Sequence, residues 1–252
     1  MRRRALGIAM VALILGFVPT AAQAQTAATV SMDSMTVAQL EAAGDAARAQ
    51  KDFYMAEKYF QKAISRDRKN ADLYNKLGLT QMKDNDPRSA RASFQKAVKY
   101  NPQFADAMNN IGAVDYLRKD YGSAAKQFKK AVAMEETRAT FHVNLGAAWF
   151  GQNKIEQALN EYGRALELDP FALDANSKAG VTFQISPEER AKYSFMLAKI
   201  YAKRGNADRC LECLRKAKEE GYSQMANVYR DEEFASVRQD PRLSEVVPPP
   251  AK

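Results

Sequence analysis

The sequence predicts an all-α fold: an α-solenoid of stacked helix-turn-helix units closed by a helical C-terminal cap. Three observations carry this. Gly44, Gly78, Gly112 and Gly146 stand 34 residues apart. Twelve residues after each glycine comes Ala56, Ala90, Ala124 or Ala158, followed by an aromatic at Phe60, Phe94, Phe128 or Tyr162 and then by Ala63, Ala97, Ala131 or Ala165. The residue before each glycine is apolar: Ala43, Leu77, Ile111 and Leu145. A fixed period of this length marks units that cannot bury their apolar face alone and must stack on their neighbours.

The first 24 residues are set apart from this pattern. Arg2, Arg3 and Arg4 precede an apolar run from Ala5 to Val18, then Pro19 and the small-residue triplet Ala22-Gln23-Ala24. This is the layout of a secretory signal peptide, with cleavage expected after Ala24 and a periplasmic or secreted destination. The run falls short of the ~20 residues a spanning helix needs. No integral span is therefore expected after cleavage; an uncleaved N-terminal anchor is the alternative. No cysteine follows the run to support a lipid anchor there. Residues 25–35 read as a flexible lead-in.

Thr36 opens the first helix. Gln39 completes a capping box, and Met35 with Leu40 flanks the cap as a hydrophobic staple. Four tandem units then occupy 37–70, 71–104, 105–138 and 139–172. Gly and Ala are expected where the two helices of a unit cross closely, and Phe94 and its equivalents between neighbouring units. After Gly180 the period breaks. Leu173 to Gly180 starts like another helix, Val181 to Ile185 reads as extended, and 173–190 is assigned as an excursion. Ser186-Pro187-Glu188-Glu189 restarts a helix with Ser as cap, Pro at the first position and Glu closing the box. A divergent fifth unit covers 191–224, with Leu197, Ala198, Tyr201, Cys210, Leu214 and Ala217 at the repeat positions. Residues 225–247, with Met225, Val228, Tyr229, Phe234, Val237 and Leu243, are expected to cap the stack. Pro248-Pro249-Pro250 begins a disordered tail, 248–252.

The recurring residues resemble the tetratricopeptide repeat (TPR) family. Its motif is a bulky residue, Leu-Gly, an aromatic, then Ala, Phe, Ala and a closing Pro. Pro102 and Pro170 close units two and four; Arg68 and Glu136 replace the proline in units one and three. The resemblance runs continuously over about 37–170. It implies a right-handed superhelix whose first helices line a concave face, and a non-enzymatic scaffold that binds a protein or peptide there.

By that resemblance the inward positions of units two to four include Asn75, Asn109, Asn110 and Asn144. A carboxamide both donates and accepts, and so suits a peptide backbone. Beside them Leu79, Met82, Tyr116, Leu117 and Phe150 read as an apolar floor fit for adaptable contact. Packing against neighbouring helices is the alternative reading for the same residues. The basic carboxylate clamp of chaperone-type relatives is not expected. Starting at unit one, its positions hold Glu41, Asp45, Lys76, Asp106 and Asn110; starting at unit two, Asn75, Leu79, Asn110, Thr140 and Asn144.

Composition narrows the chemistry. The chain carries a net charge of +8, of which Arg2, Arg3 and Arg4 supply three. The remaining excess reads as spread along the chain, so no nucleic-acid partner is expected, while attraction to anionic surfaces or acidic partners is left open. With one histidine and two cysteines, no catalytic set, cofactor or metal site is expected. His142 and Trp149 read as core residues. Cys210 and Cys213 lie inside a helix, which favours packing; a thiol-redox accessory is the alternative. An assembly factor acting through convex or terminal surfaces is a further reading of the array.

Overall fold

The computed structural model describes residues 31–173 and 186–250. The signal segment and the Val181 to Ile185 stretch lie outside the described residues. Among the described residues the fold is all-helical. Ten helices form five antiparallel pairs: α1 (Val37–Ala49) with α2 (Phe53–Arg66), α3 (Ala71–Lys83) with α4 (Pro87–Tyr100), α5 (Ala105–Leu117) with α6 (Tyr121–Met134), α7 (Ala139–Gly151) with α8 (Ile155–Leu168), and α9 (Pro187–Lys203) with α10 (Ala207–Glu219). None of the described helices is long and apolar enough to cross a membrane.

Local chemistry sets the helix ends. Thr36 and Ser186 each form a complete capping box, with Gln39 and Glu189. Asp52, Asp86 and Asp120 cap α2, α4 and α6 through their carboxylates, at the same 34-residue period. The residue before each of these caps must turn the chain back in one step. Lys51, Asn85 and Lys119 do so in the left-handed region, at φ 62°, and Asn153 does the same at φ 60° before Lys154 at the start of α8. In the fifth unit Gly205 takes that place.

The repeat glycines serve a ring. A Cβ on Gly78 would stand 2.6 Å from the Phe94 ring, and those on Gly44, Gly112 and Gly146 would stand 2.7–2.9 Å from Phe60, Phe128 and Tyr162. The glycine is thus fixed by the aromatic 16 residues later in its own unit, and not by bare backbone approach. That aromatic is fully buried in every case. Phe94 also shares a core cluster with Ile111 and Val114 of the next unit, so one ring closes both junctions. The fifth unit changes both partners: Ala198 replaces the glycine and Leu214 the ring, and both are wholly buried. Between units two and three, Arg91 grips the buried Asp115 with Nε and Nη2 at 2.8 and 3.3 Å.

One expectation is corrected. Residues 31–35 are not a loose lead-in: Arg66 donates to the carbonyls of Met32 and Asp33, Lys62 pairs with Asp33, and Met32 and Met35 pack on the first core cluster. The cap is built of short helical pieces. It consists of two short 3-10 helices, Met225–Tyr229 and Glu232–Phe234, and one turn, α11 (Leu243–Val246). It still seals the stack, burying Val228, Phe234, Val237, Leu243, Val246 and Val247 in the same core cluster as α9 and α10.

The fifth pair docks differently. α9 touches α8 far less than α3 touches α2. Its Tyr193 ring instead meets Phe150 and Tyr162 edge-on, at 5.6 and 5.7 Å.

Candidate functional site in the concave face

The first helix of each pair lines one side of the stack. On that side α1, α3 and α5 border an open cavity of about 710 Å³. Its apolar lining comes from Ala49, Leu79, Met82 and Ala113, with Phe53 and Phe94 behind. Arg48, Lys51 and Lys83 stand at its rim, and Asn110 projects from α5. Lys51 and Lys83 make no ion pair among the described residues. Asp45 also lines the cavity, but its carboxylate is occupied by Arg48 at 2.8 Å and by Lys76. Lys76 further pairs with Glu41 at 2.7 Å. Burial disfavours the Lys76 ammonium, yet its hydrogen bonds to Asp45 and Glu41 outweigh this and hold its pKa above the usual lysine value. The cavity rim is therefore net basic.

The nine residues singled out from the sequence divide into three groups. Leu79, Met82 and Asn110 line the cavity, and Asn75 reaches it through Asn110, whose Nδ2 donates to the Asn75 Oδ1 at 3.0 Å. Leu117 is 48 % exposed at the end of α5. Asn109, Asn144, Tyr116 and Phe150 are buried, so an open floor running into unit four is corrected. Asn144 Nδ2 donates to Asn109 Oδ1 at 2.7 Å, repeating the Asn110–Asn75 bond one unit on. Tyr116 packs on Tyr121 with centroids 5.2 Å apart, and burial raises its phenol well above the usual tyrosine range. Phe150 packs against Tyr193. The alternative reading, packing against neighbouring helices, describes these four.

Unit one contributes residues to the cavity that were not among the nine. Asp45, Arg48 and Ala49 hold the same positions in α1 that Leu79, Met82 and Lys83 hold in α3. Extending the 34-residue register back by one unit identifies them.

The cysteines, His142 and Trp149 are buried or half-buried. Cys210 and Cys213 are buried free thiols. Burial pushes them up to about 12 and about 11, far from the thiolate that redox exchange requires, so the thiol-redox alternative has no support in the structure. His142 is buried, with Nδ1 2.7 Å from Glu161 Oε2 and Nε2 2.9 Å from the Glu136 carbonyl. Trp149 is half-buried beneath Lys129 and Lys154. Among the described residues no three metal-ligating side chains cluster.

Stacked helix pairs with a ring-over-glycine lock in four of the five units define a TPR solenoid, and the comparisons agree. The tetratricopeptide repeat family matches residues 40–70, 75–139, 139–172 and 191–220, more than half of the chain. The chain belongs to that family. Among solved structures, it is similar to residues 41-end of MamA from Desulfovibrio magneticus RS-1, with TM-score 0.54 and 20 % identity over 75 % of this chain and 96 % of that one. It is also similar to YrrB, described as a TPR protein with an unusual peptide-binding site, with TM-score 0.51 and 18 % identity over 76 % and 90 %. The thermophilic TPR protein TTC0263 of Thermus thermophilus gives TM-score 0.50 and 17 % identity over 81 % and 99 %. At these identities the likeness is one of fold. No curated protein matches the chain in sequence.

Proposed function

We propose that this TPR array is a non-enzymatic scaffold of the bacterial envelope that holds a peptide or helix of a partner protein in the concave cavity of units one to three. The observation that carries this is the cavity itself: about 710 Å³, apolar at its base and open between three successive first helices. A preformed, mostly apolar hollow with a few polar groups is what a short segment needs for burial and orientation. Leu79 and Met82 offer adaptable apolar contact, and Asn110 keeps one N–H and its carbonyl for a peptide backbone. The peptide-binding description of YrrB supports the same use of the fold. The location rests on the signal-peptide layout of residues 1–24.

A photo-crosslinking residue at Met82 tests the reading in envelope-expressing cells, with a control at the outward Gln95. A discrete polypeptide adduct at position 82 and none at 95 is expected. Leu79→Ser with Asn110→Ala should reduce that adduct about tenfold, the effect of losing about 1.4 kcal/mol of contact, without changing the circular dichroism spectrum. Equal adducts at both positions, or an adduct indifferent to the double substitution, would remove the cavity from the function.

A further inference from the structure

The second helices carry a surface that the concave site does not use. α4 contains four basic residues and α6 three, and neither contains an acidic one. At about 100° per residue, Arg88, Lys96 and Lys99 fall within about 80° of one another around α4, and Lys126, Lys129 and Lys130 within about 100° around α6. The two sectors coincide when the helices are aligned by the 34-residue period. Both lie opposite the buried stripes, Ala90-Phe94-Ala97 and Ala124-Phe128-Ala131. The six side chains are exposed and make no ion pair among the described residues. α2 extends the face with Lys58, whose amine lies over the ring of Tyr54, itself 66 % exposed.

The face has an edge. One period beyond α6, the α8 positions equivalent to Arg88 and Lys99 are Glu156 and Glu167, and Arg164 is neutralised by Glu167 at 2.8 Å. In α10, Lys216 is likewise paired with Glu212. The positive excess that reads as dispersed along the sequence is gathered by folding onto one side of units one to three.

We propose that this convex face binds an anionic phospholipid surface. The cations form a two-dimensional array over the outward faces of the second helices of successive units, not a single line of charge for one strand to follow. A rigid convex face needs either a matching hollow or a fluid counterpart, and lipid headgroups can move to meet fixed cations. Long Lys stems reach outward, and the field extends about 8 Å at physiological salt, so curvature is tolerated. Tyr54 beside Lys58 places an exposed amphipathic ring at the level where headgroups would sit.

The test is amine footprinting of the full chain, with phosphatidylcholine vesicles carrying or lacking phosphatidylglycerol. Labelling of Lys96, Lys99, Lys129 and Lys130 should fall about fivefold or more with the anionic vesicles only, and recover in high salt. The groove-rim Lys51 and Lys83 should label equally throughout. Lys96→Glu with Lys99→Glu should abolish protection of Lys129 and Lys130 while leaving the Met82 adduct intact. Because residues 1–24 are present in every sample, their own lipid affinity cannot mimic site-specific protection. Unchanged labelling of α4 and α6, equal protection by both vesicle types, or protection by single-stranded RNA but not by vesicles would each overturn the proposal.

Discussion

Replacing Gly78 by alanine measures how tightly each repeat is locked by its own ring. The added Cβ would lie 2.6 and 2.7 Å from two ring carbons of Phe94. Ordinary carbon contacts lie at about 3.5–4.0 Å, so the overlap is near 1 Å. Phe94 is fully buried and cannot swing away. Such overpacking costs about 1–3 kcal/mol, while alanine in a helix regains about 1, leaving a net loss of up to about 2. Phe94→Leu alone should lose about 1–2 kcal/mol by opening a cavity. The double variant rebuilds the Ala198–Leu214 pair of the fifth unit, in which the methyl occupies space that the smaller side chain has left. It should fall within about 1 kcal/mol of the parent, giving a coupling of about 1–3 kcal/mol. Urea unfolding followed by far-UV circular dichroism reads all four corners of the cycle, with a constant m-value as the check on cooperativity. A double variant whose loss equals the sum of the two singles would refute the ring-over-glycine account.

The Tyr162 hydroxyl is buried against that of Tyr193, and its equivalents in units one to three are phenylalanines. Tyr162→Phe should therefore lower stability by about 1 kcal/mol in the same urea assay by leaving the buried Tyr193 hydroxyl short of a partner, and an unchanged midpoint would show that the pair contributes nothing. Lys119 turns in the left-handed region at φ 62°. Lys119→Gly should gain about 0.5–1 kcal/mol in thermal melts, the relief of that strain exceeding the added freedom of the unfolded chain, and an unchanged melt would show the turn to be unstrained. Cys210 and Cys213 are raised by burial from 9.0 to about 12 and about 11. The unfolded thiols ionise first, so the stability they contribute is complete below pH 9 and is lost as pH rises towards 11–12. Alkaline titration should show this loss diminished in Cys210→Ala with Cys213→Ala, and an identical pH slope would exclude the thiols as its source.

The repeat frame is legible in the sequence because it is local. A ring, a glycine and two alanines recur at fixed spacing, and the Thr36 and Ser186 boxes are written within four residues. What is not legible depends on docking between units. Nothing near Phe150 in sequence announces Tyr193, which reaches it from α9 and makes a predicted groove residue part of the core. Tyr116 reads as inward-facing on the same grounds as Met82, yet only Met82 lines the open cavity. The charge face escapes a linear reading for a different reason. Lys96, Lys99, Lys129 and Lys130 are scattered along the chain, and only helical phase multiplied by the repeat period brings them together. Residues 31–35 carry no periodic signal, and their anchoring comes from Arg66, more than thirty positions away.

The asparagine ladder has opposite consequences at its two ends. Between α5 and α7 the Asn109–Asn144 bond is buried, so it satisfies two amides that would otherwise be costly inside the stack. Between α3 and α5 the Asn75–Asn110 bond is half-buried and borders the cavity. There Asn110 spends a single N–H on its neighbour, and its carbonyl and second N–H remain for a partner's backbone. The bond fixes the amide's rotamer before any partner arrives, removing about 0.5–1.5 kcal/mol of ordering that association would otherwise have to supply. A ladder that looks like competition for the ligand thus pre-positions one end for it. This also separates the two surfaces physically: the ladder and cavity belong to the first helices, the cation lattice to the outward face of the second. Substitutions on α4 and α6 that disturb lipid contact should leave the Asn110 geometry untouched.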